Sequence, residues 1–197
     1  MKKDFYEEAR KFVINAYEKT GKLRSIKHFE ETVKWIKVLK PNADEGLLIA
    51  GFCHDVDKAI SPSKMPLYKR GRSLIDKKIL REHQDKSSEI MVEFLQSKGA
   101  PSLIVNKVGF LIKRHEEGGT AEADVLKDAD SLSFFETNAE EYVKWIELGI
   151  TKEQIREKFD SMFNRISSSK ARELARPMYE EACELLEEFQ PRVIEEF

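Results

Sequence analysis

Apolar residues recur at three- and four-residue steps along almost the whole chain, and this spacing is the strongest constraint on its fold. In the first segment the spaced residues are Phe5, Ala9, Phe12, Val13, Ala16 and Tyr17. Such spacing puts apolar side chains on one face of a helix, whereas a half-buried strand requires strict alternation. Only the short apolar run at residues 47–53 leaves strand and helix open, and no second strand-like run exists to pair with it. The sequence therefore predicts an all-α fold.

Glycine, proline and capping residues divide this pattern into successive helices. The predicted helices cover residues 5–20, 25–39, 43–54, about 80–98, 101–117, 125–134, 140–148, 152–166 and 169–189. Asn42 is the predicted N-cap of the third helix, because Glu45 follows three residues later and the two side chains can satisfy free backbone donors. We interpret the third helix as buried, since almost every residue in it is apolar.

Residues 61–72 break the helical pattern and are basic, so they are the most loop-like part of the chain. We find no internal repeat, no low-complexity tract and no linker long enough to separate two domains. The sequence therefore predicts one domain over residues 1–197. Its motif-bearing core covers about 26–135, and a C-terminal helical layer covers about 136–197.

Charge and cysteine content narrow the possible partners and location. The chain has 34 basic and 36 acidic residues, which leaves a net charge of −2. This balance makes nucleic acid or an anionic membrane an unexpected main partner. Cys53 and Cys183 have no paired spacing, and no apolar run approaches the roughly 18 residues that span a bilayer. We expect a cytoplasmic protein with reduced cysteines; its oligomeric state is left open.

One polar doublet stands at the end of the most apolar run of the chain. His54 and Asp55 directly follow residues 47–53. An unpaired carboxylate is costly to bury in such surroundings. A divalent metal would neutralise the charge, and imidazole with carboxylate suits Mn, Fe, Zn or Ni. The doublet therefore indicates a metal site.

Further histidines and an aspartate share the inward helix faces with this doublet. The predicted metal ligands are His28, His54, Asp55, His83, His115 and Asp130. They come from at least four helices, and helical bundles can build metal sites from side chains that project inward. Six such groups can bind two ions with Asp55 as the bridge. His28, His54 and Asp130 would hold one ion, and His83 and His115 the other. Two ions about 3.5 to 4 Å apart suit a phosphoryl displacement by water.

The same residues form an ordered pattern over residues 26–135. The pattern consists of His28, the doublet His54-Asp55, Lys58 three residues later, His83 ahead of Ser87-Ser88-Glu89-Ile90, His115, and Ala129-Asp130-Ser131-Leu132. It resembles the HD superfamily of metal-dependent phosphohydrolases, and the two additional histidines make it similar to the dinuclear branch. The resemblance implies an all-α, HD-domain-like helical bundle, here with additional C-terminal helices. It also implies a divalent cation and hydrolysis of phosphomonoesters or phosphodiesters, often of nucleotides.

The resemblance further implies roles for individual residues. Asp130 rather than Asp128 would be the last ligand, because it occupies the aspartate position of the Ala-Asp-x-Leu element. Lys58 would contact a phosphate of the substrate. The Gly-Tyr-Pro element of the cyclic-dinucleotide phosphodiesterases is missing from the sequence, which disfavours that substrate.

The leading expectation is a metal-dependent phosphohydrolase acting on a nucleotide or another small phosphorylated metabolite. One or two ions of Mn, Fe, Ni, Co, Zn or Mg would activate a hydroxide, with Asp55 and Lys58 as catalytic residues. Arg70 and Arg72 would bind substrate phosphate, because guanidinium pairs suit that group. A solvated surface loop is an equally good interpretation of this basic segment.

Two other functions remain open at this stage. The ligand order is also similar to the mixed-valent di-iron oxygenases built on the HD scaffold, which share the same ligands. A non-catalytic sensor or partner-binding protein would keep a structural metal or none. Glu116 is expected to be a surface carboxylate near a helix end; the alternatives are a proton donor to the leaving group or a partner for a histidine.

Overall fold

The chain is all α-helical in the computed structural model, which describes residues 3–21, 24–60 and 73–191. These residues contain no strand, so the predicted fold class is confirmed. The α-helices are α1 Phe5–Glu18, α2 Arg24–Leu39, α3 Glu45–Cys53, α4 Asp57–Ile60, α5 Lys77–Ser97, α6 Ser102–Ile112, α7 Ala121–Thr137, α8 Ala139–Lys144, α9 Lys152–Asn164 and α10 Ser169–Glu188. A 3₁₀ turn, Trp145–Leu148, follows α8. No helix within the described ranges is both long and apolar enough to cross a membrane.

Two hydrophobic clusters divide the interior, and α7 belongs to both. The first cluster joins α1, α2, α3, α5 and α6 to the first half of α7, including Leu126 and Ala129. The second joins Leu132 and Phe135, in the second half of α7, to the helices that follow it. Asp130 therefore lies where the two clusters meet. The first cluster also includes α1, which lies before the sequence-predicted core.

Helix α3 is buried on all sides, as its uniformly apolar sequence predicts. Its N-cap is Asp44, whose carboxylate accepts a hydrogen bond from the Leu47 N–H. The prediction that Asn42 and Glu45 cap this helix is therefore wrong. Glu45 instead accepts hydrogen bonds from the backbone N–H groups of Phe5 and Tyr6, at 2.8 and 3.1 Å. The Glu45 carboxylate thus satisfies free donors at the start of α1 and ties α1 to α3.

Helix α6 ends earlier than the sequence predicts, at Ile112 instead of Glu117. The chain then turns, and Gly118 and Gly119 adopt φ of 73° and 100°, which a residue with a side chain rarely adopts. His115 therefore lies in a turn between α6 and α7, not on a helix. The Asp124 carboxylate holds this turn by accepting a hydrogen bond from the Gly119 N–H, at 3.0 Å.

Candidate metal centre

The structure brings all six predicted ligands into one buried cluster. His28 comes from α2, His54 caps the end of α3, and Asp55 lies in the turn that follows. The other three come from α5, the turn after α6, and α7; they are His83, His115 and Asp130. Each of the four histidines is less than a tenth exposed. Neighbouring imidazole rings contact one another in the order His28, His54, His115 and His83, with ring centroids 5.0 to 5.4 Å apart.

At one end of this row lie His28, His54 and Asp130. The Asp130 Oδ1 atom is 3.0 Å from His28 Nε2 and 3.4 Å from His54 Nε2. One nitrogen or oxygen from each residue lies within 4.8 Å of the other two. A single ion can therefore reach all three side chains.

Asp55 lies between the two ends of the row. Its Oδ2 atom is 3.8 Å from His54 Nε2, and its Oδ1 atom is 3.8 Å from His115 Nε2. His54, Asp55 and His115 form a second group whose ligand atoms lie within 4.8 Å of one another. His83 Nε2 lies closer still, 2.5 Å from Asp55 Oδ1. Asp55 therefore approaches three of the four histidines of the cluster.

Every histidine of the cluster has its other ring nitrogen bound to an oxygen. His54 Nδ1 lies 2.9 Å from the Gly51 carbonyl, and His115 Nδ1 lies 2.8 Å from the Ile112 carbonyl. A carbonyl can only accept, so Nδ1 carries the proton in both rings and Nε2 carries the lone pair. Such a partner on the far nitrogen is the usual way in which metal-binding histidines are oriented.

His28 and His83 are oriented by side chains instead. The Ser133 hydroxyl donates to the His28 carbonyl at 2.6 Å, which leaves its oxygen free to accept from His28 Nδ1 at 2.8 Å. His83 Nδ1 lies 2.5 Å from Asp57 Oδ1, and the Ser87 hydroxyl donates to the same oxygen. Asp57, the first residue of α4, was not among the sequence-predicted site residues, although it follows His54 by only three residues.

Three of these Nε2 atoms, in His54, His83 and His115, are buried and have no hydrogen-bond partner among the described residues. His83 Nε2 is close to Asp55 in distance, but the contact does not have hydrogen-bond geometry. Buried polar atoms are rarely left unsatisfied, and lone pairs facing carboxylates repel unless positive charge lies between them. Imidazole and carboxylate are a ligand set that divalent transition metals accept. The buried histidine and aspartate groups therefore fit a metal ion.

Arg165, the C-cap of α9, joins the cluster to the C-terminal helices. Its guanidinium binds Asp130 Oδ2 at 2.5 Å, the Ser131 hydroxyl at 2.8 Å, and the Glu116 carboxylate. Burial favours a raised pKa for Glu116, but Arg165 and Lys158 outweigh it and lower the pKa to about 2. The same guanidinium helps to hold the pKa of Asp130 well below its usual range against the effect of burial. No periodic pattern marked Arg165, because it lies at a helix end far from the histidines in sequence.

Asp128 lies on the same helix but faces away from the cluster. Its two carboxylate oxygens accept hydrogen bonds from the backbone N–H groups of Ser167 and Ser168, at 2.7 and 2.9 Å. Asp128 thus holds the turn that leads into α10, and only Asp130 contacts the histidines.

Comparison with known proteins identifies the family of this chain. Residues 12–186 match the family model described as Domain of unknown function (DUF4202). The chain belongs to the DUF4202 family. No curated protein and no solved structure matches it.

Four further residues of this DUF4202 chain were considered for the site from sequence: Lys58, Arg70, Arg72 and Glu116. Lys58 lies beside the cluster, with its ammonium 2.5 Å from Asp55 Oδ2 and its side chain half exposed. Arg70 and Arg72 lie outside the described residues. The expectation that Glu116 is a surface carboxylate is wrong, because its side chain is only 15% exposed and is paired with Arg165. Sequence could not show this pairing, since Glu116 lies in an irregular turn and its partner is 49 residues away.

Proposed function

We propose that this DUF4202 protein is a metal-dependent phosphohydrolase that cleaves a phosphate ester of a small metabolite. The observation that carries the proposal is the set of buried Nε2 atoms around Asp55, each on a ring whose Nδ1 is held by an oxygen. The order of ligands along the chain adds support, since it resembles that of the HD superfamily.

A bound divalent ion supplies Lewis-acid chemistry, because it lowers the pKa of water and offsets charge on phosphoryl oxygens. His28, His54 and Asp130 would hold one ion, and Asp55 with His83 and His115 would hold a second. Asp57 and Ser133 orient two of these rings and keep their Nε2 atoms directed inward. This preorganisation matters because a misplaced ligand weakens metal binding.

The ionisation state of Glu116 limits the roles that this residue can take in such a reaction. Its pKa of about 2 leaves it ionised at neutral pH, with Arg165 as counter-ion. It is therefore a poor proton donor to a leaving group, since a general acid must be protonated at the working pH. Glu116 instead fixes Arg165, which in turn orients Asp130.

The proposal is tested by comparing Asp55→Asn with the unaltered protein. We expect the purified protein to take up a divalent ion and to hydrolyse p-nitrophenyl phosphate or a nucleoside phosphate. Asp55→Asn should lose metal and lower kcat/KM by about a thousandfold, as loss of several kcal/mol of metal stabilisation predicts. Asp85→Asn is the matched control, because Asp85 is a half-exposed carboxylate paired with Lys113, away from the metal ligands. Metal content is measured by elemental analysis and folding by circular dichroism.

Three results would contradict the proposal. Bound iron with oxygen consumption and no phosphatase activity would indicate the oxygenase chemistry of the HD scaffold. Tightly bound metal with neither activity, over a panel of phosphomonoesters and phosphodiesters and several divalent ions, would indicate a non-catalytic sensor. Full hydrolysis by metal-free protein would exclude the mechanism itself.

A further inference from the structure

Lys158 is a buried cation without a counter-ion of its own. It lies on the inner face of α9, and only 8% of the residue is exposed. Among the described residues its ammonium forms no hydrogen bond and no ion pair within 4.0 Å, and it lies 5.6 Å from the ring centroid of Phe134. Burying an ammonium costs free energy unless an anion compensates it, and the face of an aromatic ring compensates it only in part.

The charged groups around Lys158 do not supply that anion. Burial lowers the pKa of Lys158, and among the neighbouring charges Glu116, which raises this pKa, has the largest effect. Arg165 and Lys58 follow and lower the pKa, and Asp130 raises it. Both of these carboxylates are already bound by Arg165. The ammonium therefore lies near two cations and two carboxylates, both of which Arg165 already binds. A further anion within hydrogen-bond distance of Lys158 would be stabilised.

Phe134 and Tyr142 connect the surroundings of Lys158 with those of Lys58. Phe134 lies one helical turn after Asp130 on α7, and its ring contacts that of Tyr142 edge-on at 5.0 Å. Burial raises the pKa of Tyr142 to about 12, and the charges of Lys58, Asp55 and Glu116 act on the same hydroxyl. Tyr142 is thus a protonated hydrogen-bond donor at neutral pH that lies near both the metal ligands and the C-terminal layer.

Counting charges shows what kind of anion the centre favours. The cluster contains the carboxylates of Asp55, Asp57, Glu116 and Asp130. Its side-chain cations are Lys58, Lys158 and Arg165. With neutral imidazoles, one divalent ion leaves one excess positive charge, and two ions leave three. The three excess charges of the two-ion centre are compensated better by a dianion than by a monoanion.

We propose that Lys158 binds the phosphoryl group of the substrate together with Lys58, and that this group is the dianion of a phosphomonoester. The inference rests on the proposed function and narrows its substrate class from phosphate esters in general to monoesters. The C-terminal layer then contributes a substrate-binding residue as well as packing. Phosphodiesters, which carry one charge fewer, are the poorer substrates.

The test uses metal-loaded full-length protein and the variant Lys158→Met, which removes the charge but keeps most of the apolar stem. Inorganic phosphate binding is measured by calorimetry and by the rise in Tm that phosphate produces. We expect Lys158→Met to weaken phosphate binding at least tenfold, as loss of a charged hydrogen bond predicts. Lys152→Met is the matched control on the same helix, because the Lys152 ammonium donates to the Glu187 carbonyl far from the centre.

A second readout separates substrate binding from a structural role. In phosphate-free buffer, Lys158→Met should melt at an equal or higher temperature, since it removes an uncompensated buried charge. Its kcat/KM should fall at least tenfold for p-nitrophenyl phosphate and less for bis(p-nitrophenyl) phosphate. Equal phosphate affinity in variant and unaltered protein, or a clear fall in Tm for the variant alone, would overturn the inference.

These results also distinguish this inference from the proposed function. Phosphate binding that depends on Lys158, in a metal-loaded protein that hydrolyses nothing, would retain the subsite and reject the enzyme. Hydrolysis that depends on Asp55 but not on Lys158 would retain the enzyme and reject the subsite.

Discussion

The hydroxyl of Ser133 illustrates how much of the centre depends on residues that bind no metal. It donates to the His28 carbonyl and accepts from His28 Nδ1, so it fixes both the ring orientation and the tautomer. Gly51 and Ile112 do the same for His54 and His115 through backbone carbonyls, which no side-chain substitution removes. Ser133 is therefore the residue at which orientation can be tested separately from ligation.

Replacing Ser133 with alanine should weaken metal binding without removing a ligand. We expect a 10- to 100-fold loss of metal affinity, because the His28 ring loses the closer of its two hydroxyl partners, and Thr137 Oγ1 lies 3.4 Å from His28 Nδ1. Competition with a chelating dye measures the affinity. Ser88→Ala is the control, since Ser88 is equally buried but donates to the Gly109 carbonyl. Equal affinity in Ser133→Ala and Ser88→Ala would show that orientation of His28 does not depend on the hydroxyl.

At the scale of elements, the end of α9 is joined to α7 and to the turn after α6 by one guanidinium. Arg165 binds Asp130 on α7 and Glu116 in the turn, and its side chain is only 11% exposed. The Asp128 carboxylate makes a second connection, from α7 to the start of α10. The C-terminal layer is therefore attached at the metal centre by polar contacts, in addition to its own apolar cluster.

Arg165→Gln should destabilise the metal-free protein by about 3 to 5 kcal/mol, because it removes the cation that directly binds two buried carboxylates. Urea denaturation of chelator-treated protein measures the free energy of unfolding. Arg156→Gln is the matched control on the same helix, since Arg156 is 42% exposed in its ion pair with Asp160. That control should cost less than about 1 kcal/mol. Similar losses in the two variants would contradict a structural connection through Arg165.

For the whole molecule, metal binding and folding are linked through the protonation of the histidines. Burial alone lowers the pKa of His83, but the Asp55 and Asp57 carboxylates outweigh it and raise the pKa to about 9 in the metal-free protein. An unfolded histidine has a pKa of about 6.5. Protonated His83 therefore stabilises the metal-free fold fully below about pH 6.5, and this contribution is lost as the pH rises through 9. A metal ion binds only the neutral imidazole of His83. The stability of the metal-loaded fold therefore includes no contribution from protonated His83 that could be lost as the pH rises.

The difference in Tm between metal-loaded and metal-free protein should consequently widen from pH 6.5 to pH 9. Differential scanning fluorimetry in buffers that do not bind metal measures both Tm values across this range. The unloaded protein should account for most of the change, with its Tm falling as the pH rises. A difference that stays constant over the range would contradict the linkage to His83.

Much of this arrangement could be predicted from sequence because helix periodicity is a local property. The spacing of Ile104, Val108 and Leu111 predicted α6, and the inward faces of α2, α5 and α7 predicted that His28, His83 and Asp130 lie in the interior. The structure brings these residues together with His54 and Asp55. Helix ends were predicted less well. The Glu45 carboxylate accepts hydrogen bonds from the start of α1 and so does not cap α3 with Asn42, and Asp44 is the N-cap instead.

The sequence by itself determined the helices, their buried faces and the residue types that face inward, because each follows from spacing along one helix and the cost of burying charge. Tertiary structure alone decided which groups pair across the interior. The contacts of Arg165 with Asp130 and Glu116 join residues 35 and 49 positions apart. Such pairing depends on how helices pack against one another, and no pattern within a single helix encodes it.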